Sequence, residues 1–251
     1  MTALDIRGLR KAFGGNVVIP NVTLALEPGL ITSLVGPNGA GKTTLFNLIT
    51  GFLRPDAGEV IYNGHDLVGM SPQKITRRGV ARSFQDLRLF NDMSVFENVL
   101  VSQEPSLRLW SRKSRYRHTE AVLERVGLAH QRDTRAADLS YAERKFLNLA
   151  RIMALDIDLF LLDEPASGLD GPSRRTFHEL LASLKDDGRT VLLIEHNLDI
   201  VREVSDRIAF LNKGEVMAFD TPDRIFADEA LTDLYFGTAS RKHEDASSCS
   251  S

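Results

Sequence analysis

Residues 36–43 read GPNGAGKT and fit the pattern G-x-x-x-x-G-K-[ST]. They follow an apolar run, LITSLV, and precede TTLFNLIT, a helix candidate. A loop of this kind between a strand and a helix cradles phosphate. Gly36, Gly39 and Gly41 let the backbone curl until successive N–H groups face one anion. Pro37, Asn38 and Ala40 complete the loop and belong to the same nucleotide-contacting set. A helix starting near Lys42 adds about half a positive charge at its N-terminus. Lys42 is expected at the β- and γ-phosphates, and the Thr43 hydroxyl on Mg²⁺. Thr44 is placed for the α-phosphate. The ligands implied are ATP and Mg²⁺.

A second group lies far along the chain. LFLLDEP, residues 159–165, puts Asp163 and Glu164 at the end of an apolar strand candidate. In open α/β sheets the carboxyl ends of strands face the ligand crevice. Asp163 is therefore expected in the Mg²⁺ shell, and Glu164 beside the attacking water. Further pieces follow in an informative order. Gln85 comes after Ser83 and Phe84, LSYAERK (139–145) opens a helix candidate, SGLD (167–170) follows the acidic strand end, and His196 follows TVLLIE. Singly, each is ordinary: a solvated glutamine, a histidine in a turn.

The elements that must carry these residues can be read from patterning. Residues 4–8, 17–26, 31–35 and 59–62 read as short strands, separated by Gly14-Gly15, Pro28-Gly29, Pro55-Asp56 and Asn63-Gly64. They are expected to form a separate antiparallel layer. From about residue 94 to 154 the texture becomes helical. Ser94 and Glu97 have capping-box spacing, and 119–128 and 141–153 carry apolar residues at helical spacing. From 159 onward strands and helices alternate. LFLLD and TVLLI are buried strands in this reading, and Phe177, Leu180, Leu181 and Leu184 form one helix stripe behind Pro172. Such alternation predicts a mainly parallel sheet covered by helices. The fold expected is α/β: a P-loop ATPase core with an antiparallel β layer and an inserted α-helical subdomain over 89–154. Residues 238–251, a polar Ser-rich tail, read as disordered.

The chain has 251 residues, 43% hydrophobic and 26% charged, with a net charge of −3. A mainly disordered chain would lack this apolar content, and a dedicated nucleic-acid binder usually carries a basic excess. No nucleic-acid partner is expected. One cysteine, Cys249, excludes an internal disulfide. No run approaches the roughly 18 apolar residues of a membrane span, and the first fifteen residues do not resemble a secretory signal.

Together, the P-loop, Gln85, LSYAE, LLDEP, SGLD and His196 resemble the ATP-binding subunits of ABC transporters, over residues 1–237. The resemblance implies that Gln85 is the Q-loop glutamine, at the metal and the attacking water. It implies that LSYAE is the signature, Asp163 and Glu164 the magnesium and catalytic acids, SGLD with Asp170 the D-loop, and His196 the switch histidine. Phe13 matches the aromatic that stacks on adenine. Ser140 and Ala142 would face ATP held by a second subunit, a copy or a close paralogue. Transmembrane permease subunits, and indirectly an extracytoplasmic binding protein, are the other implied partners. The implied location is peripheral, on the cytoplasmic face of the inner membrane. GVARSFQDLRLFNDMSVFENVLV, the basic insertion after it and the ending LTDLYFG are similar to importers of branched-chain amino acids. Urea or short-amide importers, the lipopolysaccharide-export ATPase and non-transport ABC ATPases are the alternatives.

One departure from the family pattern matters, since Tyr141 in place of the first signature glycine is familiar in this subfamily. LSGGQ is usual, and here Ala142 replaces the second glycine. Its methyl is expected to crowd a γ-phosphate approaching the backbone. RLWSRKSRYRH, residues 108–118, carries five basic residues and no acid. It reads as a solvated helix face, with contact to anionic lipid as the sharper alternative.

Overall fold

The computed structural model describes residues 3–103, 111–155, 157–228 and 231. Strands β1 (Leu4–Phe13), β2 (Asn16–Leu26) and β3 (Ile31–Val35) lead into helix α1 (Lys42–Ile49). Then come β4 (Ala57–Tyr62), β5 (His65–Asp66), α2 (Pro72–Thr76) and β6 (Val80–Arg82). The helical block is α3 (Val95–Ser102), α4 (Arg112–Arg125) and α5 (Tyr141–Met153). The rest alternates: β7 (Leu159–Asp163), α6 (Gly171–Asp186), β8 (Thr190–Ile194), α7 (Leu198–Val204), β9 (Arg207–Asn212), β10 (Glu215–Asp220) and α8 (Pro222–Ala227).

Two sheets result. One is antiparallel, in the order β2-β1-β4-β5, and the other runs β10-β9-β3-β8-β7-β6. All neighbours in the second are parallel except β9 and β10. The antiparallel layer forms as expected, with one correction. β3 leaves it and pairs with β8 and β9, Ile31 lying opposite Val191. Its five residues are all buried, so it needs cover on both faces, which the sheet centre provides.

Period-two patterning sorts side chains between two cores. Leu159, Leu161, Leu192 and Ile194 face α1 and the antiparallel sheet. Phe160, Leu162, Val191 and Leu193 join the cluster of α3, α5 and α6. Helix α1 buries Leu45, Phe46, Leu48 and Ile49. Burying one such side chain is worth about 1.5–3 kcal/mol, so the helix behind the P-loop is firmly seated. The helical block shares one apolar cluster with α6 and the parallel sheet.

The capping box at Ser94 forms, with Ser94 and Glu97 bonding each other's backbone N–H. Helix α4 starts at 112, where the Ser111 side chain caps it, one turn and more before the apolar spacing seen over 119–128. Its first turns, RKSRYRH, carry no apolar stripe for sequence reading to find. Arg112, Lys113 and Arg117 are exposed, and Arg112 lies over the Tyr116 ring. Arg108, Trp110, the tail at 238–251 and all of the ending LTDLYFG except Leu231 lie outside the described residues. Among the described residues no helix is long and apolar enough to cross a membrane.

Candidate nucleotide-binding and hydrolytic site

The P-loop runs from the end of β3 to the start of α1. Gly36 is compelled by packing: a Cβ there would lie 2.0 Å from the Leu211 carbonyl oxygen of β9. Gly41, in the left-handed region at φ 101°, caps α1 without any side-chain hydrogen bond. Helices α3, α4, α5, α6 and α7 each have a side-chain cap, whereas α1 and the short α2 and α8 have none. The first N–H groups of α1 therefore keep their donors for a ligand. The loop is closed by Ala40 N–H donating to Pro37 O and Gly214 N–H to Ala40 O.

Lys42 is buried, and its ammonium donates to the carbonyls of Gly36 and Pro37 at 2.6 and 3.0 Å. Burial lowers its pKa, and the charges of Glu164 and Asp163 oppose that shift. A buried cation facing two acids at a free helix N-terminus fits a polyphosphate. Thr43 is exposed and Thr44 half-buried in the first turn of α1.

Asp163 ends β7 with its side chain 7% exposed. Burial raises its pKa and the neighbouring Arg82 lowers it. Arg82 Nη2 donates to Asp163 Oδ2 at 3.1 Å and Nη1 to Asn47 Oδ1 of α1 at 2.5 Å. Its guanidinium also lies over the rings of Phe46 and Phe84. Removing one partner from a buried pair typically costs about 3–5 kcal/mol, so Arg82 is a fixed part of the site floor. Ser83 Oγ accepts from Asp163 N–H at 2.8 Å. The donors offered near the P-loop, the Thr43 hydroxyl and the Asp163 carboxylate, are oxygens, and that suits Mg²⁺.

The next residue carries the geometry that matters most. The Glu164 carboxylate is held at both oxygens: Gln85 Nε2 donates to Oε2 at 3.1 Å, and His196 Nε2 lies 2.9 Å from Oε1. Three residues from three separate parts of the chain thus meet at one carboxylate. Glu195, on β8's end, is buried and takes the N–H groups of Ala166 and His196. Burial raises its pKa, and those backbone bonds lower it.

The remaining expected residues stand apart from this centre. Ser140 caps α5 in a reciprocal capping box with Glu143. Ala142 is half-buried and Tyr141 exposed, its ring against Gly168. Asp170 caps α6, accepting from Ser173 N–H at 2.9 Å. Phe13, at the end of β1, is 43% exposed with the Lys11 ammonium 5.5 Å from its ring centre. Sequence reading missed Arg82, Lys145 and Glu195. Two left signals: Lys145 shares an apolar stripe with Leu149 and Ile152, and Glu195 directly follows a buried strand as Glu164 does.

Comparison with known proteins agrees with this geometry. The ABC transporter family profile matches residues 19–167. The high-affinity branched-chain amino acid transport ATP-binding protein LivG of Escherichia coli K12 is 39% identical over 250 residues, 94% of this chain and 98% of the relative. The corresponding protein BraF of Pseudomonas aeruginosa is 36% identical, with the same shares of each chain. The crystal structure of the ADP conformation of MJ1267, an ATP-binding cassette of an ABC transporter, superposes with a TM-score of 0.84 at 28% identity. That match covers 94% of this chain and 99% of the other.

Proposed function

This chain belongs to the ABC transporter family, and from that premise we propose that it powers import of branched-chain amino acids. It is an ATP-hydrolysing subunit. The observation that carries the hydrolytic reading is Glu164, held between Gln85 and His196 beside the P-loop. Lys42 and the N–H groups of the loop bind the phosphates. Thr43, Gln85 and Asp163 would hold Mg²⁺, whose positive charge would offset the charge that develops on the transferred phosphoryl group. The Glu164 carboxylate orients the attacking water and accepts its proton. Gln85 and His196 hold that carboxylate in line, and Phe13 receives the adenine ring.

Two such subunits act head to tail, with Ser140, Ala142 and Asp170 of one completing the ATP site of the other. The half-buried Ala142 stands at the second helical position of α5. If its methyl limits the approach of a partner's γ-phosphate, Ala142→Gly tightens the ATP-bound pair and raises turnover severalfold. ATPase assays with light scattering measure both; weaker pairing with slower turnover would show the methyl to be accommodated.

The permease docks at a cleft of about 200 Å³ whose lining includes Phe52, Gln73, Arg82, Phe84 and Leu155. Phe52 is 48% exposed and meets Phe84 edge to face. The subunit sits peripherally on the cytoplasmic face of the inner membrane, and a binding protein outside delivers cargo. Relatives that match 94% of this chain support the cargo assignment. Cells lacking this chain are expected to lose uptake of leucine, isoleucine and valine at low external concentration. Radiolabelled uptake measures this. Intact uptake of all three with lost urea or amide uptake would move the cargo and leave the ATPase reading in place.

A further inference from the structure

Lys145 is buried in the second turn of α5, on the stripe that also carries Leu149 and Ile152. A buried ammonium is costly unless it is hydrogen-bonded and balanced by charge. Burial lowers its pKa, and the charges of Glu195 and Glu164 oppose that shift. Its hydrogen bond, however, goes to backbone: Nζ donates to the Glu164 carbonyl at 3.0 Å. The Tyr141 ring, one turn earlier on α5, lies 5.4 Å from the ammonium.

Glu164 is unusual in its own backbone. Its φ is +48°, in the left-handed region that residues with a Cβ seldom enter. Asn63, Lys213 and Arg88 share that region: the first two each precede a glycine in a hairpin turn, and Arg88 lies in the loop between β6 and α3. Glu164 instead follows a buried strand, and such a conformation persists only where its surroundings hold it. Two bonds do so. Glu164 N–H donates to Ile194 O of β8 at 2.9 Å, and Glu164 O accepts from Lys145. The peptide units on either side are thus pinned by different elements. The Glu195 carboxylate accepts from Ala166 and His196 N–H and acts on Lys145 through its charge.

We propose that Lys145 is a positioning residue for ATP hydrolysis: it holds Glu164 in its left-handed conformation and thereby aims the carboxylate between Gln85 and His196. An apolar side chain at this point of the stripe would pack without desolvating a charge. The lysine therefore serves the Glu164 backbone, and it links the start of α5 to the end of β7.

The inference rests on Glu164 as the hydrolytic carboxylate. The test is steady-state ATPase kinetics of the full chain carrying Lys145→Met, which keeps the length of the stem and removes the donor. The kcat should fall about tenfold or more, with the KM for ATP within twofold of wild type. Lys145→Arg, which keeps charge and donor, should recover most of the rate. A Lys145→Met chain with kcat within twofold of wild type overturns the proposal. So does a loss of kcat matched by lost ATP affinity and lowered Tm, or an Arg variant as slow as the Met variant. Glu164→Gln measured alongside separates the two readings: if it is inactive while Lys145→Met is normal, only the role of Lys145 falls.

Discussion

Glu164→Gln should lower the rate of ATP hydrolysis by about 10²-fold or more, the range for removing a general base. Glutamine keeps the size of the side chain and can still meet Gln85 or His196. It cannot accept a proton from water at neutral pH. In the wild type the two carboxylate oxygens are held at 3.1 Å from Gln85 Nε2 and 2.9 Å from His196 Nε2. Most of the geometry should survive the substitution, so ATP should still bind with near wild-type affinity. A nucleotide-bound pair of subunits should accumulate, visible by gel filtration with ATP. Phosphate release at near the wild-type rate would remove Glu164 from the chemistry and leave the binding half of the site intact.

How much of this site could be read beforehand depends on how local each signal is. The P-loop needs only adjacent residues: its glycines, Lys42 and Thr43 act within one strand–turn–helix unit. Asp163 and Glu164 were legible because an acidic pair closing an apolar strand has a definite place in an open sheet. Arg82, Lys145 and Glu195 were not, because their partners lie 81, 19 and 29 residues away. A single charged residue, even one on an apolar stripe or after a buried strand, does not say which group it will face. The same limit misplaced β3. Its chain neighbours are antiparallel strands, but its hydrogen-bond partners begin at Val191 and Arg207. Helix α4 shows a complementary limit: its basic first turns were legible as a solvated helix face, but without a periodic stripe only the Ser111 cap marks where the helix starts. Each miss is thus a tertiary decision overriding a local pattern.

Lys42→Ala is expected to produce the opposite kinetic signature. The ammonium lies over the loop, donating to Gly36 O and Pro37 O, with Asp163 and Glu164 as the nearest acids acting on it. Removing it deletes a charge-assisted bond to phosphate and leaves two carboxylates to repel a polyanion. A hydrogen bond to a charged group is worth about 1.5–3 kcal/mol, so ATP affinity should fall roughly 10- to 150-fold at 1.4 kcal/mol per decade. The loss should appear in binding itself, by fluorescent-nucleotide titration or calorimetry without turnover. The fold should persist, because α1 is seated by Leu45, Phe46, Leu48 and Ile49 rather than by Lys42. An unchanged circular-dichroism melt would check that. The sign of the difference is the discriminating point. If the lysine binds and the glutamate reacts, Lys42→Ala weakens binding while Glu164→Gln slows turnover of nucleotide already bound. An unaltered ATP affinity in the alanine variant would mean that the phosphates do not lie at the mouth of this loop.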